Sequence, residues 1–159
     1  MESWQEAFRG MLPDELLDNL SIEVAEKHWQ ERLRMSLGEI LVVEEAGAVI
    51  GFGVFGLCYD SDIEKEPVGE VFMMYLHPKH WHKGHGAALM RSGLGYLQAK
   101  ACREVVLWVM EENQQAIHFY EAAGFHDDGS MQVRKRAYGA EMHLRRYRRS
   151  LIGQEQQER

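Results

Sequence analysis

The segment Glu70 to Met90, EVFMMYLHPKHWHKGHGAALM, constrains the fold more than any other part of the chain. Glu70 to His77 reads as a strongly apolar strand, Pro78 to Gly86 as a loop, and Gly86 to Lys100 as a helix with Leu89, Met90, Leu94 and Leu97 on its inner face. The first amides of a helix have no partners within it and lie at the positive end of its dipole. Glycines allow that backbone to approach a bulky anion, and the small Ala87 and Ala88 keep side chains out of the way. The segment therefore predicts an anion cradle, best suited to phosphate. It is not a P-loop, because no Gly-Lys-Ser/Thr closes it, and the dinucleotide fingerprint lacks its third small residue in register. Taken alone, the same loop also reads as a tight turn before an ordinary helix.

The flanking chain alternates helix and strand. Pro13, Asp14 and Glu15 suit the start of one helix, and Ser21 caps a second in which Ala25, Trp29 and Leu33 form a stripe to bury; Gly38 ends it. Ile40 to Glu45 and Ala48 to Cys58 predict a hairpin around Ala46-Gly47. Within it, Gly51 and Gly53 alternate with Phe52 and Val54, which fits either close packing or room for a ligand. Asp60 to Glu66 is an acidic loop, expected to be a solvated connection rather than a lure for substrate. Glu104 to Met110 is a short continuous apolar run, the mark of a strand covered on both sides. Asn113 caps a further helix that Gly124 stops, and Phe125 to Arg136 with Ala140 to Tyr147 forms a closing antiparallel pair around Tyr138-Gly139.

Composition narrows the function. At 159 residues the chain is one domain's worth, expected to span 1–150 with a polar tail at 151–159. Two cysteines, Cys58 and Cys102, exclude a disulfide scaffold and a four-cysteine zinc site, and fit a reducing, cytoplasmic setting. No apolar run is long enough to cross a membrane, and the N-terminus lacks a signal-peptide pattern, so no membrane partner is expected. The net charge of -7 argues against nucleic acid as the main partner and for an amine-bearing one. His77, His80, His82 and His85 crowd one stretch, but they straddle a loop and a glycine turn rather than a regular element, so no metal is expected. Protonation of His82 or His85 would instead strengthen phosphate binding. The run Arg145 to Arg149 reads as a solvated strand end rather than an RNA contact.

A second motif supports the first. In Asn113-Gln-Gln-Ala116-Ile-His-Phe119-Tyr120-Glu-Ala-Ala-Gly124-Phe125, residues Asn113, Ala116 and Tyr120 share one helix face, which offers an amide, a small gap and a phenol. Together with the opening WQEAFRGMLP (Trp4 to Pro13), the glycine loop and the final strand pair, this order of motifs resembles the GNAT superfamily of acetyl-CoA-dependent N-acetyltransferases, over nearly the whole chain.

The resemblance implies an α/β fold whose mostly antiparallel central sheet splays between the fourth and fifth family strands, with helices on both faces. The usual first family strand has no counterpart ahead of the first helix. The exposed sheet edge this would leave invites a second copy of the chain, a homodimer. Trp81-His82-Lys83-Gly84-His85-Gly86 stands for the family loop, with Trp81 in place of its Arg or Gln. Its amides, with Ala87 and Ala88 behind them, would hold the diphosphate of coenzyme A. Met74, Tyr75 and Leu76 would pair through their backbone with the pantetheine arm at a strand bulge, faced by Asn113, Ala116, Phe119 and Tyr120. The implied reaction is direct attack of a small-molecule or peptide amine on the acetyl thioester, with no metal. Glu70 would be the general base and Tyr120 the acid that protonates the departing thiolate. A catalytically silent acyl-CoA sensor would share the cradle without needing either residue.

Overall fold

The structure is a computed structural model that describes residues 21–35, 38–60, 62–63, 67–135 and 141–152. The expected helix from Pro13, the Trp4 to Pro13 opening, the Tyr138-Gly139 turn and part of the acidic loop lie outside these residues, as does any strand ahead of the first described helix.

The described chain runs α1 (Ile22–Met35), β1 (Glu39–Glu45), β2 (Ala48–Leu57), β3 (Val68–Leu76), a single 3-10 turn (Pro78–His80), α2 (His85–Ala99), β4 (Glu104–Met110), α3 (Gln114–Ala122), β5 (His126–Lys135) and β6 (Glu141–Ser150). Six strands form one mixed sheet in the order β1-β2-β3-β4-β6-β5. All neighbours are antiparallel except β3 and β4, which are joined through α2. Among the described residues β1 is an edge strand.

Alternation along the strands sorts the two faces. A Cβ on Gly69 would meet the Leu97 side chain, so Gly69 and Val71 face α2, and Glu70 points to the opposite side. The core under α2 and α3 joins Phe55, Val71, Leu94, Leu97, Val105, Leu107, Ile117 and Phe125. Close packing explains the two hairpin glycines. A Cβ on Gly53 or on Gly93 would lie 2.6 Å or 2.0 Å from the Phe55 ring, and one on Gly51 would meet Leu76 and the Tyr75 carbonyl. The low bulk of that strand face serves close packing, not a ligand. On the other face Trp29 of α1 packs edge-on against Phe52, with ring centroids 4.9 Å apart. The stripe expected on α1 is not closed over: Leu33 stays 59% exposed. The core also reaches further along the chain than the sequence suggests. Leu151 is buried and its amide donates to the Arg103 carbonyl at 2.7 Å.

The sheet opens at one place. β3 pairs with β4 only from Val68↔Glu104 to Val71↔Leu107, although both strands continue. Opposite this point β2 pairs Val54 with Met73 and Phe55 with Val71, which leaves Phe72 as an extra residue in β3. A bulge bends its strand and strengthens the local twist. The bulge therefore sits at Phe72, slightly earlier than the Met74 to Leu76 stretch, and β3 turns away from β4 just beyond it.

The basic run at the end is internally paired, with Arg146 buried and Arg145 and Arg148 partly exposed. Arg146 is 3% exposed. Its guanidinium donates to Asp60 at 3.1 Å, to both oxygens of Asp62 at 2.8 and 2.5 Å, to Asp128 at 2.7 Å and to Ser130 at 2.8 Å. Arg145 pairs with Glu111 and Asp127, Arg148 with Glu104 and Asp128, and Arg149 donates to the Ala123 carbonyl. Each arginine of the run thus has an internal partner. Asp60 and Asp62 of the acidic loop correspondingly act as a clamp on β6, not as a free acidic surface.

Candidate active site

Where β3 and β4 part, a cavity of about 1280 Å³ runs through the sheet. That size matches a site for a large cofactor with a small co-substrate. Its walls are the outer edge of β3 from Glu70 to Leu76, the loop before α2, the start of α3, and the inner face of β6 at Met142 and Leu144.

At one end the backbone supplies the chemistry. The loop is pinned to the strand by the Trp81 indole, which donates to the Leu76 carbonyl at 2.7 Å. Trp81 thus fixes the loop's position instead of offering a charge. His82 (φ 58) and Gly84 (φ 84) adopt the left-handed region. For His82 this costs on the order of 1 kcal/mol, a strain that persists only where surroundings impose it. Such turns direct successive N–H groups into one concavity, which continues into the amides that begin α2. The cradle is narrow. A Cβ on Gly84 would meet nothing within 4 Å, whereas one on Gly86 would lie 3.2 Å from the Phe119 ring and 3.6 Å from Met74 Cε. A side chain at Gly86 would have to push the Phe119 ring aside by a few tenths of an ångström. The Ala88 amide already donates to the Gly84 carbonyl at 3.0 Å, so it belongs to the helix and not to the cradle.

The α3 wall is fixed by its cap. Asn113 Oδ1 accepts from the Ala116 amide at 3.1 Å, so the carbonyl half of this side chain is spent on the helix start. Gly124 (φ 84) ends the helix. Tyr120 packs between the rings of Phe119 and Phe125, and burial, with the nearby Tyr75, pushes its hydroxyl well above the usual phenol range. It remains a neutral donor.

At the other end a carboxylate is the notable group. Glu70 is 7% exposed yet lines the cavity. Burial raises its pKa; a hydrogen bond from the Cys58 thiol and the charge of Arg134 oppose this, and Asp60 adds to it. The Cys58 thiol is itself pushed up to about 12, chiefly by burial, so it is a donor and not a nucleophile. Asp60 stands beside this pair, its carboxylate accepting from the Trp108 indole at 3.1 Å and from Arg146.

Of the residues singled out from sequence, Glu70, Met74, Tyr75, Leu76, Trp81, His82, Gly84, Gly86, Ala87, Asn113, Ala116, Phe119 and Tyr120 converge on this cavity. Lys83, His85 and Ala88 do not line it. Lys83 is exposed, and His85 turns toward Glu45. Trp29 and Leu33 bring α1 into its wall, and Ile40, Arg134, Met142 and Leu144 line it without having been anticipated. The sparse apolar stripe of α1 and the Met142/Leu144 alternation in β6 were the only signals available for them.

The fold and motifs agree with known proteins. Residues 1–125 match the acetyltransferase (GNAT) family model. An uncharacterized N-acetyltransferase of Methanocaldococcus jannaschii is 35% identical over 86 residues, which is 54% of this chain and 38% of that protein. A mycothiol acetyltransferase of Thermobispora bispora is 32% identical over 84 residues, 53% of this chain and 28% of that protein. The chain thus spans about a third of the length of these curated relatives. Among solved structures, the PaiA N-acetyltransferase of Thermoplasma acidophilum in complex with coenzyme A superposes with a TM-score of 0.67 at 21% identity, covering 94% of this chain and 86% of that one. YncA, a putative acetyltransferase of Salmonella typhimurium with its cofactor acetyl-CoA, gives 0.63 at 22% identity, covering 86% and 78%. With its bulged and parted parallel strands, its glycine-led helix and its match over residues 1–125, the chain belongs to the GNAT acetyltransferase family.

Proposed function

We propose that the protein transfers an acetyl group from acetyl-CoA to an amine of a small molecule or peptide, by direct attack in a ternary complex. The observation that carries this reading is the cavity between β3 and β4, whose one end is built of helix-start amides and whose other end holds a buried carboxylate. The amides at Gly86 and Ala87 face the diphosphate, and the edge of β3 from Met74 to Leu76 that turns away from β4 pairs with the pantetheine arm as an added strand. A β3 amide there polarises the thioester carbonyl. Phe119 and Ala116 flank the arm, and the Asn113 amide nitrogen can donate toward it.

An alkyl amine of pKa about 10.4 is neutral in roughly one molecule per thousand at pH 7.4. A base in reach of the acceptor is therefore useful, and Glu70 serves as that base, directly or through water. The amine nitrogen forms a bond to the carbonyl carbon, its proton passes to Glu70, the C–S bond breaks, and the thiolate takes a proton from Tyr120. The raised pKa of the phenol does not disqualify it. The same dry surroundings raise the thiol, so the difference between donor and acceptor changes less than either value. The two free cysteines suit a cytoplasmic setting for the protein, and the acidic composition suits an amine-bearing acceptor. β1, an edge strand among the described residues, suits a homodimer.

Free-thiol release from acetyl-CoA with a panel of amines tests the reading. Turnover with at least one amine is expected, and Tyr120→Phe should lower kcat by at least tenfold with coenzyme affinity nearly unchanged. Coenzyme binding without thiol release from any amine would make the protein a silent acyl-CoA binder.

A further inference from the structure

The crowded histidines of the loop do meet an acid, but one from another part of the chain. The β1–β2 hairpin turns at Ala46 (φ 51) and Gly47 (φ 79), which leaves Glu45 at its tip. The His77 amide donates to the Ile50 carbonyl at 2.8 Å and draws the 3-10 turn against this hairpin. As a result, Glu45 Oε2 lies 2.8 Å from His80 Nδ1, and Glu45 Oε1 lies 3.4 Å from His85 Nε2. The three donor atoms all fall within 4.8 Å of one another.

A second observation is independent of that proximity. His80 Nδ1 is buried and makes no hydrogen bond among the described residues, despite the oxygen 2.8 Å away. The 2.8 Å contact therefore lacks hydrogen-bond geometry. An ion pair would place the oxygen along the N–H. Two ligands of one ion lie off each other's axes, because each aims at the ion between them. With metal–ligand bonds of about 2.1 Å, ligand atoms lie about 3.0 Å apart at a right angle and about 3.4 Å apart at the tetrahedral angle. The contacts of 2.8 and 3.4 Å, one to each Glu45 oxygen, are of this order.

We propose that Glu45, His80 and His85 form a site for a divalent transition-metal ion, with Zn²⁺ the best match to two imidazoles and one carboxylate. The ion takes no part in acetyl transfer. It ties the tip of the β1–β2 hairpin to the first residue of α2 and so braces the loop that carries the phosphate-facing amides. This inference does not depend on the proposed activity, since metal uptake is read without any acetyl donor.

Titration of the metal-stripped protein with Co²⁺ tests it through the visible d–d bands of a low-coordinate ion, with competition by Zn²⁺. The expected result is one Co²⁺ per chain, displaced by Zn²⁺, and a rise in Tm of several degrees with Zn²⁺. Glu45→Gln and His80→Ala should each weaken uptake roughly 100-fold. His82→Ala, in the same loop but facing the cavity, should retain it. Circular dichroism of the metal-free variants shows whether each is folded. Absence of stoichiometric uptake by the wild-type chain overturns the proposal. So does uptake unchanged in folded Glu45→Gln and His80→Ala, or lost in folded His82→Ala.

Discussion

The two ends of the cavity are built from different materials. The end that faces the start of α2 is made of backbone: left-handed His82 and Gly84, the close approach at Gly86, and amides with no helical partner. The end at Glu70 is made of side chains, and a charge cluster lies beside it. Trp108 and Arg146 hold Asp60, and Arg146 also gathers Asp62 and Asp128 from two other segments. Backbone geometry is insensitive to pH and to charge substitution, whereas a carboxylate cluster around a buried arginine is sensitive to both. A conserved chemistry can thus be seated on a rigid frame while the acceptor side is free to differ between proteins of one fold.

The largest effect expected at the side-chain end is on the reaction itself. Glu70→Gln should lower kcat/KM by roughly 10²–10⁴ with an alkyl amine and leave coenzyme affinity within about twofold. Because burial raises the Glu70 pKa above 4.5, and the base must be ionised, activity should rise with pH through that raised value. The variant should lack this limb. A Glu70→Gln enzyme with wild-type turnover and the same pH profile would remove Glu70 from the reaction.

A smaller effect concerns folding at the same end. Arg146→Met leaves Asp60, Asp62 and Asp128 without their shared cation and should cost about 3–5 kcal/mol, lowering Tm by about 10 °C at pH 7. The hydrogen bond from Arg146 lowers the Asp62 pKa, and for Asp128 the Ser130 amide and Arg146 outweigh the upward push of burial. Carboxylates with depressed pKa contribute stability above their ordinary value of 3.8 and lose it as pH falls through the depressed values. The gap in Tm between variant and wild type should therefore close below about pH 4. A gap that stays constant down to pH 2 would show that the cluster contributes packing and not charge.

Much of the backbone end was legible in the sequence, because glycines, caps and an apolar run are local signals. Asn113 and Gly124 fixed the bounds of α3, and the Lys83-Gly84-His85-Gly86 turn marked the start of α2 to within one residue. The bulge at Phe72 was placed slightly late, since the run VFMMYL carries no glycine or proline to mark the extra residue. The side-chain end was far less legible. Arg146 lies in a run of arginines, and its partners Asp60 and Asp62 are more than eighty positions earlier in the chain, so composition alone made both runs look solvated. Glu45 was missed for the same reason. Only the hairpin register and the His77 to Ile50 hydrogen bond bring it to His80. Arg134 enters the cavity through the alternation of an antiparallel pair, which gives a solvent-facing and a cavity-facing residue the same local pattern.

The backbone end can be tested most directly by calorimetric titration of the folded chain with coenzyme A, wild type beside Gly86→Val. A branched side chain at Gly86 would wedge Phe119 and Met74 away from the start of α2. One coenzyme should bind per wild-type chain at micromolar concentrations, and the folded variant should bind at least roughly 100-fold more weakly, a loss of about 2.7 kcal/mol. No heat from the wild type at millimolar coenzyme A, or equal affinity in the two proteins, would contradict a coenzyme seat at the opening of β3 and β4.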